Sequence, residues 1–153
     1  MIEDDRSKNI AVIKLNAYLP NPNYKLFAQH TDVGVGKLSL EKPVHIREGC
    51  EFDLTGNITI HKHTEISKYV HFFTHKHNWK NSRGLRKDNQ IIEKVDLIIN
   101  EDVFIGESCL IITVSFIGTG SIIGAGSVLT KNVGDYEIWA GNPAIKIGER
   151  IGE

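Results

Sequence analysis

The chain has 153 residues, a net charge of −1 and two cysteines. That length makes one domain, and the balanced charge argues against a nucleic acid or a membrane surface as partner. No apolar run approaches the ~20 residues needed to span a bilayer; the acidic, polar start MIEDDRSKN is unlike a secretory signal, so a cytoplasmic location without membrane insertion is expected.

Residues 1–37 carry no regular long-range beat. Within them IAVIKLNAYL alternates partly and suggests a strand, whereas PNPNYK, with its prolines and asparagines, reads as a turn or loop. This segment is expected to cap an open sheet end. From Leu38 a beat of six begins, with Leu40, Ile46 and Phe52 preceded two positions earlier by Leu38, Val44 and Cys50. DLTGN shifts it by two residues, as a widened corner would. It resumes at Ile60, Ile66 and Phe72, preceded by Ile58, Thr64 and Val70.

After Phe72 the rhythm stops. Residues 74–96 are polar, basic and rich in turn formers, and a long loop that interrupts a regular array is more often functional than accidental. The beat returns as Ile99, Ile105, Ile111, Ile117, Ile123 and Leu129, preceded by Leu97, Val103, Cys109, Ser115, Ser121 and Ser127. It stops after Lys131. Residues 132–153 read as a closing strand, a Gly-Asn-Pro turn and a short tail, with a helix as one option for the tail.

A beat of six fits neither a helix, which shows spacings of three and four, nor a simple strand. It is an internal repeat of very short strands. Each aliphatic and the residue two before it point inward, because strand side chains alternate faces. Three such steps make one triangular coil, and stacked coils at roughly 4.8 Å share their stability. The fold class is therefore all-β, with coils over 38–73 and 97–131 and one protruding loop. Cys50 and Cys109 both fall on the small inward position and are expected to be buried thiols rather than a disulfide, consistent with a reducing compartment.

The run Leu97–Thr130, together with IGAGSVLTKNVGDYEIWAGNPAIKI, resembles the hexapeptide-repeat acyltransferases, where a G-A-G-S-x-x-T-K stretch is followed by A-G-x-P-A. The resemblance implies a left-handed parallel β-helix, a hand opposite to the general preference for parallel crossovers. It also implies acetyl-CoA as co-substrate, no metal, and a homotrimer with sites between adjacent solenoids. The THKHNW loop looks most like that of acetyltransferases of bacterial surface polysaccharide synthesis, so the acceptor implied is a sugar or nucleotide sugar.

In that family the catalytic histidine lies five positions after the last inward aliphatic. Counting from Phe72 gives His77, with His75 as second choice; His71 stands nearby and His61 and His63 occupy turn positions. Acetyl transfer from a thioester requires the acceptor hydroxyl or amine to lose its proton as it attacks, and an imidazole takes that proton at neutral pH. A carboxylate or carbonyl is expected to orient the ring. Asp53 is a candidate for holding the acceptor, with a corner-forming role as the alternative. Trp79 suits a sugar face; Arg83, Arg86 and Lys87 suit an anionic group on the acceptor. By resemblance, Gly124 and Ala125 meet the pantetheine amides, Thr130 and Lys131 lie near the pantetheine or nucleotide end, and Lys146 or Arg150 meets the 3′-phosphate. Phe104 forms an apolar wall, and Trp139 either covers the adenine or packs in the core. Two other readings are a γ-carbonic-anhydrase-like enzyme with zinc on His71, His75 and His77, and a non-catalytic scaffold.

Overall fold

The computed structural model describes residues 2–5, 10–14, 24–78 and 91–152. Strands β1 (Ile2–Asp5) and β2 (Ile10–Lys14) are antiparallel, and β2 runs antiparallel to β4 (Lys37–Glu41), so the two cover one edge of a sheet. β3 (Tyr24–Phe27) joins a different sheet in parallel with β6. Thus the expected loop at PNPNYK gives way to strand from Tyr24 onward, because Tyr24 and Leu26 can lie in register with Cys50 and Phe52.

From β4 the chain visits three parallel sheets in a fixed cycle. The first holds β4, β7 (Ile58–Ile60), β12 (Leu97–Ile99) and β15 (Phe116–Ile117). The second holds β5 (His45–Ile46), β8 (Glu65–Ile66), β13 (Phe104–Ile105), β16 (Ile122–Ile123) and β18 (Glu137–Gly141). The third holds β3, β6 (Cys50–Asp53), β9 (His71–Phe73), β14 (Leu110–Ile112) and β17 (Val128–Leu129). The residue beat of six is this cycle: one step per face, three faces per coil.

The inward row of each face is apolar and buried. Ile60, Ile99 and Ile117 line the first face, Ile66, Ile105 and Ile123 the second, and Phe52, Phe72, Ile111 and Leu129 the third, all buried. Phe52 and Phe72 stack with ring centroids 4.6 Å apart. Each such side chain contributes about 1.5–3 kcal/mol relative to exposure. Polar residues at the small inward position bond to backbone carbonyls: Ser121 Oγ donates to Gly118 O at 2.7 Å and Ser127 Oγ to Gly124 O at 2.5 Å across their own corners, and Thr64 Oγ1 to Asn100 O of the next coil at 2.9 Å. Cys50 and Cys109 are buried and unpaired, and burial pushes both thiols up.

Three details depart from the sequence expectation. Ser115 faces outward and binds Asn132, while Val114 takes the inward place, because Thr113 turns the corner early at φ 51°. The coil also does not end at Lys131: Val133 is buried and bridges Ile117, and β18 extends the second sheet. The tail is no helix; β18 and β19 (Ala144–Glu149) form an antiparallel hairpin. Gly141, Pro143 and Gly148 disfavour a helix there, and the edge left open by β16 offers a strand pairing instead. No helix among the described residues is long and apolar enough to cross a membrane.

Candidate active site

Both breaks in the beat fall on one edge of the coil, the corner leading from the third sheet to the first. Residues 28–36 follow β3, residues 54–57 follow β6, and a hairpin of β10 (His75–Asn78) and β11 (Ile91–Lys94) follows β9. Because β3, β6 and β9 are in parallel register, these irregular corners stack on one another.

Asp53 ends β6 and is fully buried. Its Oδ1 accepts from the Thr55 hydroxyl at 2.7 Å, the Thr55 N–H at 3.1 Å and, at 3.5 Å, the Gln29 N–H. Its Oδ2 accepts from the Thr74 N–H at 3.1 Å and faces His75 Nδ1 at 2.5 Å. Burial alone would raise its pKa, but the Thr55 hydroxyl, the His75 ring and the Thr74 and Thr55 N–H groups outweigh it and hold the carboxyl below its ordinary value. Thr74 locks the base of the hairpin: its hydroxyl donates to Asp53 O at 2.6 Å and accepts from Gly56 N–H at 2.8 Å, and its carbonyl accepts from Val95 N–H at 2.8 Å.

An ionised carboxylate only accepts, so His75 Nδ1 carries the proton toward Asp53. In the neutral ring Nε2 then holds the lone pair. The His75 side chain is 8 % exposed, enough to stay oriented and still reach a ligand. Two further imidazoles close on it: His30 with its ring 4.7 Å from His75 and 5.0 Å from His77, and His77 5.5 Å from His75.

The structure thus brings together Asp53, His75 and His77 from the sequence candidates and adds His30, which the periodicity does not mark. A usable signal exists: His30 lies four residues after Leu26, which pairs with Phe52. His71 does not join them; it sits on the outer face of the third sheet with Nδ1 3.6 Å from Glu51. His61 pairs with Glu41 at 2.7 Å, and His63 forms a corner at φ 64°. Trp79, Arg83, Arg86 and Lys87 lie outside the described residues.

The donor-side candidates fall on different edges. Thr130 and Lys131 are exposed on the same edge as His75, and β9, β14 and β17 are in register, which puts them two coils, roughly 10 Å, along the axis. Gly124 and Ala125 lie on the neighbouring edge, between β16 and β17; the Gly124 N–H is committed to Trp139 O at 2.8 Å, and Ala125 is exposed. Lys146 is held between Glu149 at 2.5 Å and Glu137 at 3.2 Å, which raises its pKa. Arg150 pairs with Asp102 at 3.1 Å. Trp139 packs on the core and donates its indole N–H to Glu137 at 2.8 Å. Phe104 stands exposed on the outer face of the second sheet.

No protein-family model and no curated protein sequence matches the chain. Solved structures do. A hexapeptide-repeat-containing acetyltransferase of Vibrio cholerae, complexed with acetyl coenzyme A, aligns over 86% of this chain and 67% of its own, at 23% identity and TM-score 0.68. The chain has the fold of the hexapeptide-repeat acetyltransferases. AntD, an N-acyltransferase from Bacillus cereus in complex with dTDP and 3-hydroxybutyryl-CoA, aligns over 84% of this chain and 72% of its own, at 18% identity and TM-score 0.66. The polySia-specific acetyltransferase NeuO is 29% identical over 76% of this chain, which spans 53% of NeuO, with TM-score 0.62.

Proposed function

We propose that the protein is a coenzyme A-dependent acyltransferase that moves an acetyl group onto a hydroxyl or amine of a sugar-type acceptor, with His75 as general base. The observation that carries this reading is the 2.5 Å contact between the buried Asp53 carboxylate and His75 Nδ1. It fixes the tautomer that leaves Nε2 free to take a proton. The acceptor O–H or N–H gives its proton to His75 Nε2 as its lone pair attacks the thioester carbonyl. The tetrahedral species then collapses, the C–S bond breaks, and the departing thiolate takes that proton back. Ester or amide and free CoA thiol result, and His75 is neutral again. Asp53 stays ionised throughout.

His77 stays in the site as a neighbour that helps seat the acceptor. The acceptor reading draws support from the dTDP-4-amino-4,6-dideoxyglucose bound in a structure of a mutant of AntD and from the polySia named for NeuO, and it extends to polysaccharide biosynthesis in the cytoplasm. We take the coil as left-handed and the assembly as a homotrimer. Support for the trimer comes from the edges. Gly124 and Ala125 stand on a different edge from Thr130 and Lys131, and a second copy packed alongside would set one copy's edge against the other's in a shared groove.

The test is calorimetric titration of metal-free protein with acetyl-CoA, followed by turnover of His75→Ala and His77→Ala on a panel of sugar acceptors. Saturable binding near one per subunit, with turnover down roughly 100-fold or more in His75→Ala and less in His77→Ala, is the expected result. Loss confined to His77→Ala moves the base to His77, and absence of acetyl-CoA binding removes the transferase reading.

A further inference from the structure

The three imidazoles at the corner have a second capacity. His30, His75 and His77 each offer a ring nitrogen, and these atoms all lie within 4.8 Å of one another. His30 Nε2 is buried and has no hydrogen-bond partner among the described residues, a cost of about 1–3 kcal/mol unless something fills the place. His75 presents only Nε2, since Nδ1 is given to Asp53. A carboxylate behind a ligating imidazole is the support that holds the ring in its metal-binding tautomer.

We propose that His30, His75 and His77 bind one divalent transition-metal ion of the zinc class. Three nitrogen donors with a fourth position open to water or a ligand are what such an ion takes in an open site. At Zn–N distances of about 2.0–2.1 Å, ligand nitrogens stand roughly 3.4 Å apart, so the present cluster closes by at most about 1.4 Å when the ion enters. His75 is fixed by Asp53. The movement falls to His30, in the segment after β3, and to His77, on the hairpin. Occupancy therefore ties these two segments to the coil.

One consequence rests on the acyltransferase reading: the ion occupies the Nε2 lone pair that takes the acceptor's proton, so the metal-loaded protein is switched off. Zinc-type metal and acceptor then compete for one nitrogen.

The experiment uses the intact protein stripped with a chelator. Zinc is titrated by calorimetry and cobalt by visible absorption, in the wild type, His30→Ala and Asp53→Asn. The expected results are one ion per chain, a tetrahedral-type cobalt spectrum, and affinity lowered by more than about 100-fold in His30→Ala and about 10–100-fold in Asp53→Asn, as loss of a ligand and of its supporting carboxylate demand. No saturable zinc binding by the wild type overturns the proposal, as does unchanged affinity in a His30→Ala variant whose circular dichroism matches the wild type. The wild-type stoichiometry and cobalt spectrum decide the matter if that variant fails to fold. Acetyl-transfer assays on the same samples separate the two readings: metal binding with turnover that requires the ion keeps the site and removes the metal-free base, whereas turnover without any metal binding does the reverse.

Discussion

Replacing Asp53 with Asn keeps the shape of the side chain and removes its charge. Asp53 accepts from two sides, Thr55 and Gln29 on Oδ1 and Thr74 and His75 on Oδ2. An amide has one accepting oxygen. Turned toward Thr55, it presents its NH₂ to the Thr74 N–H, a buried donor that then has no acceptor there. Leaving that donor unsatisfied costs about 1–3 kcal/mol, and the lost bond from the His75 ring to a charge is worth about 1.5–3 kcal/mol, offset in part because a buried charge is gone. The net destabilisation expected is about 2–4 kcal/mol, read from urea unfolding. The sharper readout is the ring. The amide NH₂ donates to His75 Nδ1, the proton moves to Nε2, and the proposed base becomes a donor. Nitrogen NMR of labelled imidazole should show Nε2 unprotonated in the neutral wild type and protonated in D53N, and turnover should fall by about 10²–10⁴. An unchanged tautomer with full turnover would refute the reasoning.

Two further outcomes are expected of the coil and its last hairpin. A methyl at Gly106 would stand 2.5 Å from Ala125 N and 2.7 Å from its Cα, both backbone, so Gly106→Ala should cost about 3 kcal/mol, the upper range for over-packing. Gly126 has φ +69° and nothing within 4 Å, so Gly126→Ala should cost only the left-handed strain of about 1–2 kcal/mol; equal losses in thermal unfolding would contradict the stacking of adjacent coils. Glu137 is held below the ordinary carboxylate range by the Trp139 indole N–H, the Gly134 N–H and the Lys146 ammonium. Below its ordinary pKa the unfolded chain binds the proton more readily than the folded one. Its stabilisation is therefore full above that pKa and is lost as pH falls through the depressed value. The stability gap between wild type and Glu137→Gln should narrow from about pH 6 to about pH 3, and a constant gap in urea unfolding would remove Glu137 from the hairpin's account.

The repeat itself is legible residue by residue. A beat of six sets which side chains point inward, and from Leu40 to Leu129 the apolar residue that ends every step is buried, whereas Leu54, on the widened corner, is buried outside the beat and Val44, inside it, is half-buried. The buried thiols at Cys50 and Cys109 follow from the same count. Ser115 breaks the pattern because a corner at Thr113 reallocates the inward place to Val114, a choice of backbone turn that side-chain spacing does not record. The hairpin at the end escapes the spacing for a related reason: its strand character comes from the open edge of β16 rather than from any local beat.

The site shows where sequence stops. Spacing marks the loop and its histidines, and the family register puts His77 ahead of His75. The proposal of His75 over His77 rests on its contact with a carboxylate, and Asp53 lies 22 residues before His75. The two meet because Phe52 and Phe72 share a row, which puts both irregular corners on one edge. His30 reaches the same edge through β3, a strand with no hexad of its own. A periodic sequence states the local period and thereby the core, since each residue's inward or outward direction depends on its immediate neighbours. Which interruptions stack is a sum over segment lengths between them, and only the closed coil carries out that sum.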